Sequence, residues 1–67
     1  MDKHFAIFVS LTGDYIRNHD KDNTILLFTR ETALSKAHVI VDTWYGLQHP
    51  VFVVDNNNQD VIVRLSK

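Results

Sequence analysis

A chain of 67 residues supports one core, and its lack of cysteine excludes disulfides and every thiolate metal site. Seven Lys and Arg against eight Asp and Glu give a net charge of −1, with the cations scattered along the chain. That balance argues against a nucleic-acid groove, which needs a concentrated basic patch, and equally against an acidic mimic of DNA.

The hydrophobic content of 45% is that of a folded chain, and one domain over residues 1–67 is expected. The absence of cysteine suits a reducing compartment, so a cytoplasmic location is expected. The N-terminal apolar run, Phe5 to Leu11, passes straight into Thr12-Gly13-Asp14 without a small-residue cleavage site, which favours a strand over a signal sequence. No apolar run approaches the ~18–20 residues needed to span a bilayer, so no membrane partner is expected.

Phe5, Ile7, Val9 and Leu11 alternate with His4, Ala6, Phe8 and Ser10, the period of a strand. Gly13-Asp14 then fits a two-residue hairpin loop of type II′. A short second strand follows over Tyr15 to about Asn18. His19 to Asn23 is dense in turn formers, and Thr24 to Phe28 reads as a third strand.

The period then changes. At ~100° per residue, Ala33, Ala37, Ile40, Val41 and Trp44 share one face of a helix, with Leu34 at its edge. Thr29 suits the N-cap, Glu31 the positive end of the dipole, and Gly46 with Pro50 beyond it the C-terminal stop. Val51–Val54 and Val61–Leu65 read as two closing strands. The expected fold is α+β: a small single-layer antiparallel sheet in the order β-β-β-α-β-β, with one amphipathic helix packed on one face.

Between the closing strands lies DNNNQD, residues 55–60. Read as a calcium loop starting at Asp55, it has Asp60 at position 6, where glycine is needed, and Ser66 at position 12, where glutamate is needed. Asn and Asp tolerate left-handed backbone and cap their own turns, so a hairpin tip is the better reading. His38, Asp42 and Tyr45 share a strip of the helix and define the alternative of a small oligomeric enzyme or ligand binder. The remaining histidines, His4, His19 and His49, lie in other elements without metal-site spacing, and no metal or cofactor is expected. No nucleophile elbow or glycine-rich phosphate loop occurs, and no catalytic constellation stands out. The expectation is therefore no enzyme.

Apolarity on both sides of the sheet is the informative feature. If Phe5, Ile7, Val9 and Leu11 face the helix, then Phe8, Phe52, Val54, Ile62 and one of Leu26 or Leu27 face away from it. One helix of ~10–12 Å covers one side of such a sheet at most. Contiguous exposed apolar surface usually marks an interface, and twofold homodimers are the commonest oligomers. The expected function is a small non-enzymatic protein-protein interaction module, homodimeric and acting on another protein, with Phe8, Phe52, Val54 and Ile62 carrying the interface, to a second copy first and otherwise to a different protein. An accessory or regulatory protein of a bacterium or its phage is the expected setting. The alternative is a nucleic-acid-binding domain that stacks bases on Phe8 and Phe52, with Arg17 and Arg64 near the backbone.

Overall fold

The computed structural model describes residues 3–43 and 49–66. The alternating N-terminal run forms β1 (Phe5–Val9), followed by three two-residue strands, β2 (Asp14–Tyr15), β3 (Arg17–Asn18) and β4 (Thr24–Ile25). The helix α1 (Arg30–Thr43) precedes β5 (Val51–Asp55) and β6 (Asp60–Leu65). The fold is α+β, with one helix on one face of a four-stranded antiparallel sheet ordered β2-β1-β5-β6 and a small β3-β4 ladder beside it.

Strand period two sends Ile7 and Val9 of β1, with Val51 and Val53 of β5, to the helix side, where all four are fully buried. Burying each of them contributes about 1.5–3 kcal/mol relative to exposure. The helix meets them with Ala33 and Ala37, both 0% exposed, and with Ile40 and Val41. Small side chains at these two fully buried positions let the helix axis approach the sheet. Thr29 caps the helix as expected, its Oγ1 accepting the Thr32 N–H at 3.3 Å. The expected stop at Gly46, and Trp44 on the apolar face, lie outside the described residues.

Three local expectations need correction. The first hairpin has a four-residue loop, Ser10 to Gly13, because Val9 pairs with Asp14. Gly13 takes φ +70° and donates its N–H to the Val9 carbonyl at 2.9 Å, a reversal wider than a two-residue turn. Leu11 therefore sits in the loop, 47% exposed, and does not face the helix.

The second strand changes partner halfway. The Ile16 N–H donates to the Ile7 carbonyl, while the Ile16 carbonyl accepts from Leu26 N–H, both at 2.9 Å. Its first half thus pairs with β1 and its second half with β4. The third strand is regular only at Thr24–Ile25. Phe28 then bridges to Phe5 alone, and Ile16, Leu26 and Phe28 pack on the helix-side core.

The third correction is in β6. Val53 pairs with Val63 but Val54 pairs with Val61, so Ile62 is an extra residue in a β-bulge. Beyond a bulge the alternation of faces is reset. Ile62 packs against the helix-side core, and Val61 takes the place on the other face.

Candidate interaction surface

The face of the sheet opposite the helix is built on cross-strand register. Tyr15 lies beside Phe8, Phe8 beside Phe52, and Phe52 beside Arg64, so one row crosses all four strands. The Phe8 and Tyr15 rings meet edge to face at 5.2 Å between centroids, and Phe8 and Phe52 lie 6.1 Å apart at 49°. Such aromatic pairs add about 0.5–1.5 kcal/mol beyond the area they bury. All three rings are half-buried, and Arg64 is exposed.

The next row is Ala6, Val54 and Val61. Ala6 and Val54 are buried, whereas Val61 is 57% exposed. Phe8, Tyr15, Phe52, Val54, Gln59 and Val61 together line an open depression of 270 Å³. Of the residues expected on this face, Phe8 and Phe52 lie at its centre. Val54 is buried beneath the neighbouring side chains, and Ile62 belongs to the opposite side. Tyr15 and Val61 are members that sequence reasoning did not assign. Tyr15 follows from the true length of the first hairpin loop, and Val61 from a bulge that has no sequence signature.

Around the face, the charged groups are largely committed. Arg17 grips the Asp14 carboxylate through Nε at 3.0 Å and Nη2 at 3.1 Å, and its Nη1 donates to the Asn23 carbonyl at 3.1 Å. The Arg17 guanidinium, and after it the Tyr15 N–H, hold the Asp14 carboxyl below its ordinary pKa, while the Arg17 pKa is raised by the same pair. Arg17 is thus already paired with a carboxylate of its own chain.

The DNNNQD segment forms the β5–β6 turn. Asp55 Oδ1 accepts the Asn57 N–H at 3.0 Å and the Asp55 carbonyl accepts the Gln59 N–H at 2.7 Å, with Gln59 left-handed at φ 65°. The same Asp55 Oδ1 lies 2.8 Å from His4 Nδ1, tying the turn to the start of β1. The Asn57 N–H first, then His4, lowers the Asp55 pKa. This carboxylate is turned inward onto the chain's own donors.

On the helix, His38 and Asp42 are both exposed, and Tyr45 lies outside the described residues. No group of three or more His, Asp or Glu among the described residues is placed to hold a metal ion. No helix among them is long and apolar enough to cross a membrane. No protein-family model matches the chain, and no characterised protein or solved structure shows significant similarity to it.

Proposed function

We propose that this chain is a small non-enzymatic protein-interaction module that works as a homodimer and presents the open sheet face to a protein partner. The observation that supports this reading is the row Tyr15–Phe8–Phe52, three half-buried rings in contact on the face the helix leaves bare. Exposed Val61 extends the same apolar surface to the border of the sheet. Surface of this kind, bounded by polar groups, is typical of protein contacts.

The row of rings also supports a second reading, a platform for single-stranded nucleic acid. Two features weigh against it. Net charge is −1, and Arg17, which this reading sets with Arg64 beside the phosphate chain, is already paired with Asp14.

Molar mass by light scattering over a protein concentration series tests the first reading. A dimer that persists at molar salt is the expected result, since apolar burial and peptide hydrogen bonds are little screened. A monomer at every concentration would overturn the homodimer. Binding to a short single-stranded oligonucleotide that collapses between low and moderate salt would favour the second reading. A homodimer can be built face to face across the rings or edge to edge along β6, and both arrangements satisfy this test.

A further inference from the structure

We infer that the cleft between α1 and the β3–β4 ladder binds a small carboxylic acid with an apolar body, of the kind a medium-chain fatty acid represents. The cleft follows from the change of partner at Ile16. Up to Tyr15 the chain lies along β1, and past Ile16 it pairs with β4 instead. Ile16, Leu26 and Phe28 form one wall and Val39 and Ile40 of the helix the other, with buried Ile7 of β1 at the base. The open space between the walls is 340 Å³. Small-molecule sites are commonly clefts of about 300–1,000 Å³, apolar in the main, with a few polar groups that orient the ligand. At the lower end of that range, this cleft suits a short chain and not a long-chain lipid.

Two residues on the rim define the occupant. Val39 is 58% exposed, one of three large apolar side chains so exposed among the described residues, and it alone of the three borders this cleft. An apolar chain lying in the cleft covers it. The second is Lys36, the one charged residue in the lining. Its ammonium stands 5.8 Å from the centroid of the Phe28 ring, so the side chain reaches from the helix toward the opposite wall.

Lys36 has no carboxylate of its own. The ion pairs among the described residues are His4–Asp55 and Arg17–Asp14, and neither involves it. Nor does an acidic residue share its strip of the helix. At ~100° per residue, Glu31 lies about 140° from Lys36 around the axis and Asp42 about 120°. Arg30, the other Lys or Arg of α1, is also about 120° away.

One unpaired ammonium above an apolar cleft matches one negative charge on an apolar body. A carboxylate supplies that charge, whereas a phosphate monoester, at about −1.5 to −2, leaves part of its charge unmatched. The carboxylate accepts from Lys36 Nζ at the mouth, and the chain lies between Leu26 on one wall and Val39 on the other. This site is on the helix side of the sheet, away from the aromatic row, and does not rest on the homodimer reading.

Amide NMR shifts of the full chain, titrated with sodium octanoate and separately with octanol, test the site. Octanoate should give saturable shifts centred on Ile16, Leu26, Phe28 and Val39. Lys36→Gln should weaken octanoate about tenfold, the loss of one charge-assisted hydrogen bond, and leave octanol, with the same chain and no charge, unchanged. Val39→Glu sets a carboxylate one helical turn from Lys36 and should abolish octanoate binding. Both positions are exposed, so both variants should keep the circular dichroism of the unaltered chain. Absence of saturable shifts up to about 10 mM octanoate, well above a millimolar dissociation constant, overturns the site. So does a Lys36→Gln chain that binds octanoate as tightly as the unaltered one, since the cleft then takes apolar matter without regard to charge. Shifts confined to Phe8, Tyr15 and Phe52 place the acid on the open face and overturn it equally.

Discussion

Asp55 shows how much one residue type can say when its neighbours are read with it. Between VFVV and VIVRL, a run of Asp, Asn and Gln has the side chains for an Asx-type turn, and the Asp55 carboxylate accepts the Asn57 N–H two residues on. The bond to His4, 51 positions away, has no local signature and could not be read from the sequence. Asp14, Asp22 and Asp55 all have depressed pKa values in the fold, through Arg17, through Thr24, and through Asn57 with His4 respectively. A depressed carboxylate contributes stability that is fully present above its unfolded pKa of about 3.9 and is lost as pH falls through the lower folded value. Urea midpoints should therefore be flat from neutral pH down to about 5 on account of these groups and fall below about 4. Asp55→Asn should shrink the acid-side fall, and a variant with an unchanged acid profile would show that the His4 and Asn57 bonds carry no linkage. At Gln59 the left-handed backbone sets a different test. Gln59→Gly should be tolerated, whereas Gln59→Val, β-branched at positive φ, should lower stability by about 1–2 kcal/mol in urea unfolding.

Elements with one dominant period were legible, and those that share partners were not. The helix carries its own start signal at Thr29 and its apolar face at Ala33, Ala37, Ile40 and Val41, so its existence and its buried side could both be read. Strands β1, β5 and β6 declared themselves by alternation. What the sequence did not show was where hydrogen bonds change hands: at Ile16, which serves β1 with its N–H and the β4 side with its carbonyl, and at Ile62, where a bulge resets the faces. Both depend on the fit of one strand against another, and no residue type records that. TILLF is apolar at every position after Thr24, so its period marks no face, and only the fold shows that Leu26 and Phe28 keep backbone bonds to Ile16 and Phe5 while their side chains pack on the core. Two substitutions probe the helix at this scale. Thr29→Ala removes the cap and should cost about 1 kcal/mol. Ala37→Leu places a branched side chain at a site with 0% exposure against the sheet, where overpacking should cost about 1–3 kcal/mol. Urea unfolding of Ala37→Leu without loss of stability would mean that the helix can rise from the sheet freely.

For the whole molecule, size sets the terms of the argument. At about 0.05–0.15 kcal/mol per residue, a chain this short has a stability of roughly 3–10 kcal/mol. Ile7, 1% exposed at the centre of the sheet, illustrates how narrow that margin is, since Ile→Ala in a core costs about 2–5 kcal/mol. A homodimer changes this balance, because association that favours the folded state stabilises by mass action and makes the unfolding midpoint depend on protein concentration. Under the proposed reading, the urea midpoint of the chain should rise as its concentration is raised from the micromolar range upward, while the slope of the transition reports dimer dissociation with unfolding. The effect should be larger for Ile7→Ala, whose monomer lies closer to the unfolding threshold. A midpoint that stays constant over a hundredfold range of concentration would instead mean that 67 residues hold this fold alone, and that the aromatic row serves a different protein.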